Sequence, residues 1–335
     1  MQVKRKKLLE LLSKLKPGLS TKGIIEQMGH FIFLDERIFS YNDRICLSVE
    51  FKSDFEFSVS ADLLYGLLSR IEDEVVEVSC GDSILKIEGK IVSSELATSS
   101  EQQVFEVIDS MELSKERDWR TVPSGFVEGI QSCLFSASKD VSNVLSGISV
   151  TNEAIVSSDD MRITEFKFEG MSPFILPLSS ALELVGYDFD QYFLEKVWVF
   201  FRNKQTGIFF CCRLLEGEFP DISGHFEFEG QEINLPEKFS LKIETVSICA
   251  EGEFNIDKKI DIEIGGNKVR CRGEREEGWV ECNLDVEYEG DAIKFGINPL
   301  FLLDILKRTD KMKIGVDRGL FQAENFRHLI ALYGE

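Results

Sequence analysis

At 335 residues the chain is too long for one ordinary hydrophobic core and long enough for two or three. Hydrophobic residues make up 43% of it, which excludes a disordered chain, and no apolar run approaches the ~18 residues of a membrane span. The 38 basic and 59 acidic residues leave a formal charge of −21, so any contact with nucleic acid depends on where the cations lie and not on their sum.

The first predicted element is a helix over residues 7–16, with Leu8, Leu11, Leu12 and Leu15 on one face and Pro17-Gly18 as its stop. Glu10, Ser13 and Lys14 interrupt its apolar stretch, so it reads as an amphipathic helix and not as a signal peptide. It is basic, with Lys4, Arg5, Lys6, Lys7, Lys14 and Lys16 against Glu10. Taken alone, that suits either a solvated helix face or a phosphate-binding one.

Period-two strands follow at 45–51 and 56–59, then a helix at 60–70 with Ser60 as its cap, then strands at 74–78 and 84–88. Residues 124–134 predict a helix with Phe126, Ile130 and Leu134 in phase, and a further helix is predicted at 178–185, without any Lys or Arg. Strands are expected at 197–201 and 207–214. A helix follows Pro236 at 237–249, and strands are predicted at 259–264 and 292–297. The last helix covers 299–307, with Asn298 as cap and Pro299 at its first position.

Six helices, two per third of the chain, lie among short strands. The expected class is α+β, built from repeated units of antiparallel sheet with helices on one face. The domain boundaries expected are 1–119, 120–221 and 222–335.

Chemistry-bearing motifs are missing. The eight cysteines, at 46, 80, 133, 211, 212, 249, 271 and 282, form no CxxC pair, and the histidines at 30, 225 and 328 are dispersed. A zinc site is therefore not expected, and the cysteines read as reduced, buried thiols of a cytosolic protein. Carboxylates cluster at Asp159-Asp160 and at 274–277, but no base stands near them in sequence, and no phosphate-loop or nucleophile-elbow motif occurs. An enzyme is not expected, nor is a cofactor.

Two stretches carry a resemblance. Residues 140–164 read DVSNVLSGISVTNEAIVSSDDMRIT and residues 215–222 read LEGEFPDI. Both are similar to the second-domain core of the bacterial DNA polymerase III beta subunit family, the sliding clamps. There a DVxxxLxGx segment leads to a (A/S)TDGxRL-like strand end, and an xxGxFPDx turn comes later. Residues 7–22 (KLLELLSKLKPGLSTK) resemble that family's first inner helix and its loop, residues 25–43 its next hairpin, and residues 293–306 (IKFGINPLFLLDIL) its strand–Asn–helix segment in the last domain.

The resemblance implies three clamp domains, with sheets outside and two helices per domain lining a central channel. It implies a replicative processivity factor that encircles duplex DNA without reading sequence and tethers polymerase and clamp loader through short linear peptides. On that basis the DNA-facing residues are Lys7, Lys14, Lys16, Lys22, Lys238, Lys242 and Lys307, with Arg308 beside the last. The peptide pocket is Leu145, Ser158, Asp160, Arg162, Ile163, Pro220, Leu320, Ala331, Leu332 and Tyr333. A head-to-tail homodimer is implied, pairing edges near residues 84–96 and after Cys249, with Ile91 and Ile248 as apolar contacts. The expected location is cytoplasmic, at the nucleoid.

The chain departs from the pattern at several pocket positions. Asp160 stands where the family usually has Gly, Gly224 where a basic residue is common, and Ala331-Leu332-Tyr333 where a Met-Pro-Met-like end is usual. The alternative reading is a clamp-fold peptide-binding scaffold that no longer encircles DNA.

Overall fold

The computed structural model describes residues 1–20, 26–100, 102–111 and 116–334. The chain divides into two compact units, one made of residues 1–122 and 182–214, the other of residues 123–181 and 215–335. Every strand pairing within them is antiparallel.

The first unit holds a twelve-stranded sheet. Its order is Gln2–Lys4, Val75–Gly81, Ile84–Glu88, Ser93–Ser99, Phe57–Ser60, His30–Leu34, Arg37–Tyr41, Ile45–Glu50, Phe209–Arg213, Trp198–Arg202, Gln191–Leu194 and Arg120–Thr121. Two helices pack together on it. α1 (Arg5–Leu15) buries Leu8, Leu12 and Leu15, and α2 (Ala61–Arg70) buries Ala61, Leu64 and Leu68. The end of α1 is tied down by side chains from elsewhere in the unit: Ser40 Oγ donates to the Leu15 carbonyl and the Tyr187 hydroxyl to the Lys14 carbonyl, each at 2.6 Å. These bonds satisfy carbonyls that a helix end leaves open. Ser60 caps α2, its Oγ accepting from the Leu63 N–H.

A third helix in this unit was not among the six expected. α3 (Gln102–Ser110) buries Val104 and Ile108, and Met111 follows them against Phe39, Phe200, Phe209 and Cys211. Its apolar residues keep helical spacing, but Val104, Phe105, Val107 and Ile108 have the composition of a strand. Packing on the sheet decided the matter.

The second unit holds two sheets. One runs Phe174–Pro177, Gly147–Val150, Ala154–Ser158, Arg162–Lys167, Phe326–Ala331, Arg318–Gln322, Lys311–Ile314 and Gln231–Asn234. The other runs Gly278–Asp285, Lys268–Arg275, Ile260–Gly265 and Ile293–Ile297. α4 (Phe126–Cys133) packs on the first sheet through the buried Phe126, Ile130 and Cys133. α5 (Leu178–Leu184) carries the chain on to the first unit's second segment. α6 (Phe239–Ser247) lies on the second sheet and against α7 (Pro299–Leu306).

The eight cysteines are free thiols. Cys46, Cys133, Cys211, Cys212 and Cys271 are buried, but Cys80 is exposed, contrary to the general expectation of buried thiols. Among the described residues no helix is long and apolar enough to cross a membrane.

Asn298 shows how one residue can hold two segments. Its side-chain oxygen accepts from Leu300 N at 3.0 Å and Phe301 N at 3.3 Å, capping α7, while its amide donates to the carbonyls of Asn255 and Ile256 at 2.9 and 3.0 Å. It is 1% exposed, so water cannot replace those bonds. Asn298→Ala is expected to lower unfolding stability by about 2 kcal/mol or more, read as a shift in the urea midpoint.

Candidate peptide cleft and basic helix faces

A cleft of about 330 Å³ opens on the eight-stranded sheet of the second unit, toward the lower end of the usual range for ligand sites. Strand register explains its floor. Ser158 pairs with Ile163, Ile163 with Leu329, and Leu329 with Leu320, so one rung crosses four strands. Side chains on a rung share a face, and residues two apart along a strand return to it. The next rung on that face places Ala331 opposite Arg318. Leu320 and Leu329 are buried together with Phe226, with Ile163 and Ile222 packed against them.

The walls come from turns. The Ala154–Ser158 and Arg162–Lys167 strands are joined by residues 159–161, where Asp159 accepts from the Met161 and Arg162 N–H groups at 3.3 and 3.1 Å. Asp160 takes φ +71°, the left-handed region, which explains why glycine is favoured there in the pattern this chain resembles. The turn of Pro220, Asp221 and Ile222 borders the cleft as well. The Asp221 carboxylate accepts from Ser223 N at 3.0 Å, and that bond holds its pKa below the ordinary aspartate value.

Of the ten predicted pocket residues, Leu145, Ser158, Asp160, Arg162, Ile163, Pro220 and Ala331 border the cleft. Leu320 lies beneath the surface as part of the floor, 2% exposed. Leu332 and Tyr333 do not border it. Leu332 follows Ala331 by one residue and so turns to the opposite face, where it is buried near Gly319. Tyr333 bridges to Gly296 on the second sheet, its N–H and carbonyl both bonded there at 2.8 Å. Met161, Ile222, His225, Asp317, Arg318 and Leu329 line the cleft as well and were not predicted. Period-two counting back from Ala331 would have found Leu329. The Asp317-Arg318 wall follows from strand pairing alone.

Arg162 also needs correction. It borders the cleft, but its guanidinium belongs to the other face of the sheet. Nε donates to Asp159 Oδ2 at 2.9 Å, another nitrogen to the Phe135 carbonyl, and a third lies 3.6 Å from Asp304 Oδ2. The Phe301 ring lies 3.8 Å beneath it. Burial pushes the Asp159 carboxyl up, opposed by Arg162 beside it. This arginine holds the turn in place and is not a free cation for a ligand.

On the same hidden face, His328 is fully buried. Its Nδ1 lies 2.8 Å from Thr164 Oγ1, which meets Ser136 and through it Ser157. Burial, reinforced by the positive charges of Arg162 and Arg308, holds the imidazole pKa well below its ordinary value.

The predicted DNA-facing lysines are dispersed over helix surfaces in both units. Lys7 and Lys14 are seven residues apart on α1, within about 20° of one line along it. Lys7 is exposed, and Lys14 pairs with Glu10 at 3.2 Å. Lys16 stands 3.3 Å over the Tyr65 ring of α2, beside Arg70 in a shallow cleft. Lys22 lies outside the described residues. In the second unit Lys238 is exposed at the N-cap of α6, where a cation opposes the helix dipole, and Lys242 is half-buried one turn on. Lys307 is exposed at the end of α7 and pairs with Asp304 at 3.3 Å. Arg308 donates to Ser132 Oγ and the Gln131 carbonyl on α4, at 3.0 and 3.2 Å, and so is removed from the candidate lining.

Two outcomes follow from this geometry. Asp160→Gly should preserve or raise stability, while Asp160→Val should cost about 1–2 kcal/mol because a β-branched residue is strained at positive φ; chemical denaturation measures both. His328 predicts a pH effect. The unfolded chain takes up a proton near pH 6.5 and the folded one does so only well below that. The contribution is therefore whole above about pH 6.5 and falls as the pH drops toward the folded value. Unfolding at neutral and at mildly acidic pH should show the wild-type chain losing more stability than His328→Gln.

No family model matches the chain, and a search of curated proteins finds no match by sequence. Solved structures do match. The DNA polymerase sliding clamp from Bacillus subtilis superposes with a TM-score of 0.83 at 16% identity, over 100% of this chain and 98% of that one. The DNA polymerase beta subunit of Streptococcus pyogenes gives 0.83 at 19% identity, over 100% and 99%. The sliding clamp of Bartonella birtlesii, solved bound to griselimycin, gives 0.83 at 15% identity with the same coverage. Over its whole length, then, this chain has the fold of the bacterial DNA polymerase sliding clamps.

Proposed function

We propose that this chain is a DNA sliding clamp, a processivity factor that encircles duplex DNA as a closed homodimer. It tethers a polymerase and a clamp loader through short peptides held in the cleft of the second unit. The observation that carries this reading is the cleft itself: in a chain with the clamp fold from end to end, seven residues chosen by resemblance border one open, apolar-floored cavity. The role is non-enzymatic, and the proposed location is cytoplasmic, at the nucleoid. The three proposed domains are 1–119, 120–221 and 222–335, in which α1 and α2, α4 and α5, and α6 and α7 recur as pairs.

Exposed edges support the dimer. The Ser93–Ser99 strand pairs with Ile84–Glu88 on one side, but on the other, among the described residues, only Thr98 and Ser99 meet a strand, Phe57–Ser60. Among the described residues, 93–97 therefore offer an open edge. Gly278–Asp285 is an edge strand of its sheet. Such edges template further pairing. Ile91 is 77% exposed, Ile248 66% and Trp279 58%, a cost that a second copy could remove. Light scattering after size exclusion should give about twice the chain mass of 38.1 kDa. A strictly monomeric protein at micromolar concentration would sink the ring.

Duplex DNA needs only cations at phosphate spacing, with no base readout. Lys7, Lys14, Lys16, Lys238, Lys242 and Lys307 are the residues proposed for this, with Lys22 from the segment outside the described residues. A second reading, the scaffold that does not encircle DNA, is favoured by the charge of −21 and by the acidic partners of Lys14 and Lys307. Loading onto circular DNA separates the two. The clamp reading expects retention on circles, loss on linearisation, and weaker retention in a Lys7→Glu/Lys14→Glu variant that still dimerises. A dimer that is never retained supports the scaffold.

A further inference from the structure

The cleft's charge points to the kind of peptide it takes. Two arginines border it, and each is already neutralised. Arg162 is paired with Asp159 and turned to the hidden face of the sheet. Arg318 is held at two points by Asp317, at 2.7 and 3.0 Å. Among the described residues no lysine lines the cavity.

Two carboxylates remain. Asp160 is exposed at the apex of its turn, and its carboxylate has no hydrogen-bond or ion-pair partner among the described residues. Asp221, also on the lining, is exposed, and its bond from Ser223 N holds its pKa below the ordinary aspartate value. Glu216 and Glu218, also exposed, lie in the segment leading to Asp221. Among the described lining residues, the basic group without an acidic ion-pair partner is His225, exposed, which contributes a small attraction to Asp221.

We infer that the cleft is selective for a cationic linear motif, a short peptide whose apolar anchors fill the Ile163–Leu329 floor and whose flanking residues include Lys or Arg facing Asp160 and Asp221. This rests on reading the cleft as a peptide site. Apolar anchors supply affinity in such grooves, and rim charges select among peptides that share them. An acidic flank would meet two unpaired carboxylates at the rim of a chain that is strongly acidic overall. Exposed pairs are individually weak and screened by salt, so the expected preference is modest, about fivefold to tenfold at low ionic strength, and declines as salt is added.

The test uses two dye-labelled hexapeptides with the same leucine and phenylalanine anchors, one flanked by lysines and the other by glutamates. Fluorescence anisotropy is read against the intact protein and two variants. Asp160→Asn/Asp221→Asn removes the rim charge, and asparagine tolerates the left-handed position 160. Ile163→Asn spoils the apolar floor without adding charge. Unfolding midpoints and oligomeric state check that each variant is folded.

The expected result is tighter binding of the lysine peptide, a preference lost in the double asparagine variant, and loss of both peptides on Ile163→Asn. Equal affinities, or a preference that survives the double asparagine variant, overturn the charge inference and leave the peptide cleft standing. Lysine-peptide binding that survives Ile163→Asn marks attraction to the acidic surface at large and also overturns it. If neither peptide binds the intact protein, the cleft reading falls, and this inference with it.

Discussion

The geometry of the cleft depends on one buried charge. The Arg162 guanidinium joins the 159–161 turn through Asp159, the end of α4 through the Phe135 carbonyl, and α7 through Phe301 and Asp304. An arginine is 8% exposed here because Asp159, the Phe135 carbonyl and the Phe301 ring surround it, although Nη1 makes no hydrogen bond and meets Asp304 Oδ2 at 3.6 Å. Removing one member of such a set leaves an uncompensated charge in a poorly solvated place, which generally costs about 3–5 kcal/mol. The turn that presents Asp160 is thus fixed from behind, by contacts a ligand never sees. Arg308 works in the same layer, reaching α4 from the end of α7 beside the Phe135 and Phe326 rings.

The period of two in an extended chain then sorts everything else. Odd-numbered Ile163, Leu329 and Ala331 face the cleft; even-numbered Arg162, Thr164, His328 and Leu332 face the helices. The same strands therefore make an apolar floor on one side and, on the other, a hydroxyl–imidazole network closed to water. His328 is held toward its neutral form first by burial, and charging it would also bring a third cation beside Arg162 and Arg308. An apolar floor backed by a rigid polar layer keeps the groove's shape independent of what enters it.

The candidate DNA-facing cations lie on and just after α1, at the start of α6 and at the end of α7, while Lys268, Arg270, Arg272 and Arg275 stand on a single strand of the second sheet among acidic neighbours. Three of the six described candidate lysines have local restraints: Glu10 for Lys14, the Tyr65 ring for Lys16, Asp304 for Lys307. A carboxylate partner offsets much of an ammonium's field, while an aromatic ring leaves its charge in place.

Much of this was legible in the chain. The helices expected at 7–16, 60–70 and 299–307 lie at 5–15, 61–70 and 299–306; leucine spacing places them, and Ser60, Asn298 and Pro299 mark the starts of the last two, because these signals act within one turn of backbone. The antiparallel class and seven of the cleft's residues could be placed from local pattern and resemblance. Tertiary structure decided the rest. α3 is helical because Val104, Ile108 and Met111 meet a sheet face whose strands come from distant parts of the chain. Arg318 and Asp317 join the cleft because Arg318 is registered against Ala331, a pairing no local signal encodes. Leu332 and Tyr333 leave it because the strand ends at Ala331 and the last residues find other partners. Local sequence sets which face a residue can take; which residues share that face is set by strand register, and register is settled only when the whole sheet has packed.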